Sequence, residues 1–213
     1  AREAASQVGP EGFVAGVDAS PGMLAVARTG APRIEWREAQ AEALPYPDER
    51  FDAVVSQFGL MFFSDRRRAL TEMQRVLKRG GRLAVAVWAS LDSSPAYAAE
   101  VDLLERVAGK AAADAVRAPF VLGDTNQLTQ LVAGAGIDKV AIATQRGMAR
   151  FPSIRFMVEA DLRGWLPLVG VVLTEEQINR ILHEAEHVLR AYVTATGTVA
   201  CEIAAHLVTG TRS

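Results

Sequence analysis

Hydrophobic and polar positions along the first ninety residues switch between two periods. Short apolar runs at residues 12–18 (GFVAGVD), 33–39 (RIEWREA), 51–57 (FDAVVSQ) and 82–88 (RLAVAVW) read as strands. The segments between them carry helical spacing. Ser20 can cap a helix whose first position suits Pro21, with Met23, Leu24 and Ala27 as its buried stripe. A second helix is predicted over residues 65–79, burying Leu70, Met73, Val76 and Leu77, after which Gly80 and Gly81 turn the chain into the fourth strand. Residues 44–49 (LPYPDE) form a loop punctuated by proline. The opening AREAASQVG reads as the tail of a helix ending near Gly9; without an initiator methionine, the polypeptide is expected to continue upstream.

The second half is less regular. Helices are predicted over residues 95–116 and 124–135, then an alternating strand over 138–150. Residues 153–195 read as helix in two pieces, broken around 166–170, and a last strand runs over 198–209. Strand and helix in alternation, with continuous apolar strands, indicate an α/β fold. Its doubly wound, mostly parallel sheet is covered on both faces and binds ligands at the carboxyl ends of its strands. One domain over residues 1–213, with residues 153–195 as a helical insertion or lid before the final strand, accounts for the pattern.

Composition narrows the function classes. Of 213 residues, 50% are hydrophobic and 23% charged, with a formal charge of −2, so no basic surface for nucleic acid is indicated. No apolar run reaches membrane-spanning length and no signal peptide is expected. One cysteine, Cys201, excludes an intramolecular disulfide and fits a cytoplasmic location; it reads as a small buried residue.

Asp18 ends the first strand immediately before a helix. A carboxylate there can accept two hydrogen bonds from a ribose diol, or it can serve only as a cap. The segments VDASPGMLAVAR, AQAEALPYPDERFDAVVSQFGLMFFSD and ALTEMQRVLKRGGRLAVAVW follow one another in this order. Together they resemble the class I S-adenosylmethionine-dependent methyltransferases, the group of the ubiquinone/menaquinone C-methyltransferases most closely. The likeness is dense over residues 1–90 and thinner through APFVLGDTNQLTQLVAGAGIDKV.

The resemblance implies a Rossmann-like methyltransferase fold with an antiparallel last strand, S-adenosylmethionine as cofactor and a small-molecule acceptor. It places the ribose on Asp18 and the adenine between Ala19 and Met23. The acid-alanine pair of the family falls on Gln40 and Ala41, where the glutamine is a departure: its amide accepts without charge. Ser56, Gln57 and Phe58 fall where the methionine part and the methyl group lie. The family's first strand and its Gly-rich loop would precede Ala1. No general base is nominated, no metal is required, and a homodimer is compatible with the family though no residue argues for one.

Phe62, Phe63, Tyr97, Phe120, Phe156 and Trp165 either belong to the core or, as a group, line an apolar or aromatic acceptor pocket. His206, in the last strand, reads as a structural histidine. The segment 181–192 contains His183, Glu184 and His187 in the zinc-hydrolase order H-E-x-x-H. At about 100° per residue, however, both histidines fall roughly 140° to 180° from Ile178, opposite the apolar stripe. The third ligand would have to be Glu202, in a strand. A water-facing pair without a metal is therefore expected. Two other functions share the pattern: a nicotinamide-dependent oxidoreductase, which also places an acid after its second strand, and a non-catalytic binding module on the same fold.

Overall fold

The computed structural model describes residues 1–31 and 33–213. After a short helix α1 (Arg2–Gln7), strand β1 (Ala15–Asp18), helix α2 (Pro21–Gly30) and strand β2 (Glu35–Glu38) form a first parallel unit. Strand β3 (Phe51–Gln57), helix α3 (Arg66–Val76) and strand β4 (Leu77–Trp88) form a second. Helices α4 (Pro95–Ala108), α5 (Lys110–Arg117) and α6 (Thr125–Ala133) lead to strand β5 (Asp138–Phe151). Helix α7 (Ile154–Glu159) runs on through a π-helical segment, Ala160–Trp165, and a last turn, Leu166–Leu168. Helix α8 (Glu175–Val188) and strand β6 (Val199–Thr211) close the chain.

The strands lie in two sheets, β1-β2 and β3-β4-β6-β5. Strand β6 is antiparallel to both neighbours, β3, β4 and β5 share one direction within their sheet, and β1 and β2 are parallel to each other. This is the expected α/β arrangement with an antiparallel last strand. Among the described residues β1 and β3 each pair on one edge only. The sheets meet through side chains near the strands' amino ends. Phe13 stacks on Phe51 at 6.1 Å, Tyr46 meets Phe51 edge-on at 5.0 Å, and the Tyr46 hydroxyl donates to Glu35 Oε1 at 3.3 Å.

Several sequence expectations need correction. Ser20 does cap α2, its hydroxyl accepting from the Met23 N–H, but only Leu24 of the predicted stripe is buried; Met23 is 62% exposed. The helix expected to reach residue 79 ends at Val76, because tertiary partners capture its last carbonyls. The Arg75 and Val76 carbonyls accept from the N–H groups of Glu49 and Arg50, and the Arg212 guanidinium donates to the Arg75 and Leu77 carbonyls. Strand β4 therefore begins at Leu77, five residues early, and bulges opposite β3 before Arg82. Gly80 turns there at φ +74°, and a Cβ on Gly81 would lie 2.7 Å from the Lys78 carbonyl oxygen. The single helix expected over residues 95–116 is two, divided at Gly109 (φ +88°).

Burial falls into two clusters. One lies between α3, α6 and the β4–β6 sheet, with Leu70, Leu77, Val85, Leu128 and Val208 at its centre. The other packs α4, α5, α7 and α8 on one another and on Val199 and Cys201 of β6. The first is tied to the β2–β3 loop by one acid. Glu72 is 6% exposed; its carboxylate takes two hydrogen bonds from Arg75, at 2.7 and 2.8 Å, and one from the Leu44 N–H at 2.8 Å. Arg75 also donates to the Leu44 and Tyr46 carbonyls and to Asp48. The Arg75 guanidinium holds the Glu72 carboxyl below its ordinary range, against the opposing effect of burial.

Removing that acid leaves a partly buried guanidinium and a backbone N–H unpaired, so Glu72→Ala is expected to cost about 3 kcal/mol in urea unfolding. The sign with pH follows from the lowered value. The contribution is complete above the unfolded carboxyl's 4.5 and is lost as pH falls through the lower folded value. The variant's stability should therefore approach that of the parent in acid.

Candidate functional site

The carboxyl ends of the parallel strands carry the residues nominated from sequence. Asp18 closes β1 opposite Glu38 of β2, and the Ala39 N–H donates to the Asp18 carbonyl at 3.2 Å. That bond brings Gln40 and Ala41 to the same end as Asp18 and Ala19. The Asp18 carboxylate uses Oδ1 locally, accepting from the Ser20 N–H at 2.8 Å, while Oδ2 has no protein partner among the described residues. One oxygen of this acid is engaged at the turn into α2, and the other is open. Ala19 and Met23 are exposed beside it, as is Gln40, whose carbonyl accepts from the Ala43 N–H and closes a turn.

Ser56, Gln57 and Phe58 end β3 in the other sheet, and no strand ladder joins them to Asp18. Phe58 adopts φ +54°, a left-handed conformation costly for a side chain with a Cβ. Two contacts hold it there. Its N–H donates to the Ala86 carbonyl at 2.9 Å, and its ring stacks on Trp88 at 3.9 Å. Trp88 was not singled out from sequence. Its signal was its place as the last residue of a strand, one position short of the polar run that follows.

The aromatic group divides. Phe62 follows β3 and meets Trp165 at 5.1 Å, and Tyr97 meets Phe120 at 5.7 Å. The Trp165 indole N–H donates to the Ala115 carbonyl at 2.8 Å, fixing the ring. Phe63 is half-buried against the sheet cluster, and Phe156 is 57% exposed and lines nothing. These rings sit where the second helical cluster approaches the carboxyl end of β3.

Two acids in that cluster were also missed. Glu100 of α4 is fully buried and neither carboxylate oxygen has a partner among the described residues; burial, with Asp161 nearby, holds its carboxyl well above the ordinary range. Burial pushes Asp161, in the π-helical segment, up to about 6. Glu100 could have been found on a helical wheel, because it lies on the stripe of Ala96, Leu103 and Leu104. Asp161 could not, since the π-helical register shifts the faces.

The histidines behave as structural groups. His206 is buried between Gly123 and Thr144. Its Nε2–H donates to the Gly123 carbonyl at 3.0 Å, so Nδ1 accepts from the Thr144 hydroxyl at 2.9 Å. Gly123 is required there, because a Cβ would come within 2.2 Å of the Ser90 nitrogen. His183 and His187 are exposed on α8 with ring centroids 5.7 Å apart. Glu184, which would be the base of a zinc hydrolase, is instead paired with Arg106 and Arg180. Glu202 is paired with Arg146, and no set of three metal-ligating side chains converges among the described residues.

Comparison with known proteins places this geometry. A family model described as a methyltransferase domain matches residues 1–85. The ubiquinone/menaquinone biosynthesis C-methyltransferase UbiE of Hahella chejuensis is 48% identical over 84 residues, covering 37% of this chain and 34% of that protein. The chain thus matches about a third of that relative's length. The YcgJ protein of Bacillus subtilis superposes with a TM-score of 0.58 at 19% identity, covering 94% of this chain and 82% of that one. The phosphoethanolamine N-methyltransferase 2 of Haemonchus contortus, solved with S-adenosyl-L-methionine, superposes with a TM-score of 0.55 at 16% identity, covering 99% and 45%. The fold is the Rossmann-like methyltransferase fold.

His206→Leu is expected to destabilise the chain by about 2 kcal/mol in urea unfolding, since it leaves the Gly123 carbonyl and the Thr144 hydroxyl buried without partners. His183→Ala should be neutral within about 0.5 kcal/mol, and EDTA should leave the melting temperature unchanged.

Proposed function

We propose that the chain serves methyl transfer from S-adenosylmethionine to a small apolar or aromatic metabolite, in the cytoplasm and without nucleic acid as partner. The observation that carries this reading is Asp18: an acid at the carboxyl end of β1 with one oxygen tied to the Ser20 N–H and the other open. It stands beside the Gln40–Ala41 turn, within the stretch matched by the methyltransferase-domain model.

The residues present fit the cofactor. The open Asp18 oxygen can accept from a ribose hydroxyl, and charge strengthens that bond. Ala19 and Met23 offer exposed apolar surface to the adenine ring, and Gln40 offers a neutral acceptor to its amino group. Ser56, Gln57 and the strained turn at Phe58 stand at the end of β3, where the methionine part would lie. When bound, the cofactor supplies a methyl group already activated on sulfonium. The work left to the chain is to align the acceptor and exclude water, for which the Phe58–Trp88 and Phe62–Trp165 pairs provide rigid apolar walls.

Isothermal titration separates the readings. S-adenosylmethionine and S-adenosylhomocysteine are expected to bind and NADH is not. Asp18→Ala should weaken either sulfur ligand about tenfold or more, the loss of a charge-assisted hydrogen bond. Binding of NADH with no affinity for S-adenosylhomocysteine would reverse the assignment in favour of an oxidoreductase.

A further inference from the structure

Helix α4 carries polar side chains along a face that is otherwise core. Ser94 at its N-cap, Tyr97 and Glu100 recur at three-residue spacing, so they are neighbours on one side of the helix. Ser94 and Glu100 are fully buried, and among the described residues the Ser94 hydroxyl and both Glu100 carboxylate oxygens have no partner. Ser94 does not cap its own helix. Three unmatched polar atoms in one apolar cluster cost several kcal/mol unless something else bonds to them.

Asp161 comes to this stripe from the π-helical segment, and Cys201 from β6. The buried acids raise the Tyr97 hydroxyl and the Cys201 thiol above their ordinary ranges, in each case after the larger effect of burial. Among the described residues no base pairs with either acid. The arginines of the surrounding helices are spent on the surface, Arg106 and Arg180 on Glu184, Arg117 on Glu105 and Asp114, and Arg163 on Glu159 and Glu175. The π-helical segment is a costly irregularity that such segments repay at ligand sites. It puts Trp165 four residues beyond Asp161, close to one turn, and the Trp165 ring meets Phe62 just after β3.

We propose that Asp161 and Glu100, in the helical cluster beside the Tyr97–Phe120 and Phe62–Trp165 ring pairs, form a recognition site for an organic ammonium, and that the methyl acceptor is an aromatic metabolite carrying that amine. A cation satisfies a carboxylate and aromatic faces together. Asp161 is the accessible member and contacts the ligand; Glu100, without surface, stands behind it as a positioning residue that adds acceptor oxygens. The assignment of the ammonium as methyl acceptor rests on the methyltransferase reading, whereas the binding site itself does not. In the transfer step the ammonium N–H proton passes to the Asp161 carboxylate, the freed nitrogen lone pair forms the N–CH3 bond, and the S–CH3 bond breaks with its electrons to sulfur.

The test compares benzylamine with its neutral counterpart benzyl alcohol by calorimetry and by perturbation of the Trp165 indole resonance. S-adenosylhomocysteine is titrated into the same samples as an independent check of the cofactor reading. Benzylamine is expected to bind at least tenfold more tightly than the alcohol at pH 7.5 and to lose that preference below about pH 6, where Asp161 becomes neutral. Asp161→Asn should abolish the preference, and Glu100→Leu, which removes the acceptor oxygens behind it, should reduce it several-fold. Equal binding of the two probes, binding of neither, or an amine preference that survives Asp161→Asn would each overturn the site. So would an Asp161→Asn variant that gains thermal stability with the preference intact, because the acid would then be a merely strained core group.

Discussion

The Glu72 carboxylate, clasped by Arg75 and by the Leu44 N–H, is the interaction from which the geometry of the site descends. It fastens the Pro-rich loop ahead of β3 to the end of α3, so β3 enters the sheet at a defined height. Arg75 spends its remaining donors on the same loop, and Arg212 then closes the other side, bonding to the Arg75 and Leu77 carbonyls and to Glu49. The last strand, the end of a helix and the entry to β3 are thereby one unit. Every residue at the far end of β3, from Ser56 to Phe62, inherits its position from that junction.

The site has two halves built on different physics. On the β1–β2 side the chemistry is polar and local: a carboxylate with one oxygen engaged at the turn into α2 and the other open, next to a turn closed by Gln40. On the β3–β4 side it is steric, with a left-handed Phe58 locked by a stacked Trp88 and a second aromatic pair made by Phe62 and Trp165. The second pair joins the sheet to the helical cluster, which holds its own unmatched polar atoms. A cluster of leucines and valines alone would make α4 more stable. Keeping Ser94 and Glu100 buried on that helix sacrifices stability.

Much of this was readable residue by residue. The period-two runs located β1, β3 and β6 to within a few residues, Ser20 and Pro21 marked the start of α2, and the wheel turned His183 and His187 to water. Asp18 was legible in its position, as the last residue of a strand ahead of a capped helix. Harder to read were the places where distant segments compete for the same backbone groups. The carbonyls at the end of α3 could bond within a longer helix or to Glu49, Arg50 and Arg212, and nothing in LKRGG reveals that the distant partners win. Asp161 was illegible for the same reason, since its surroundings depend on a helix supplied by another part of the chain.

The sequence by itself determined the order and type of the elements and the positions of the acids and glycines, because periodicity, capping and turn chemistry act over a few neighbours. Only the tertiary structure decided which of those polar groups are matched. His206 found a hydroxyl and a carbonyl, Glu184 found two arginines, and Glu100 found no partner among the described residues. Whether a buried charge is a structural tie or an open demand for a ligand depends on the surrounding elements. That sum is made across space, where local pattern has no reach.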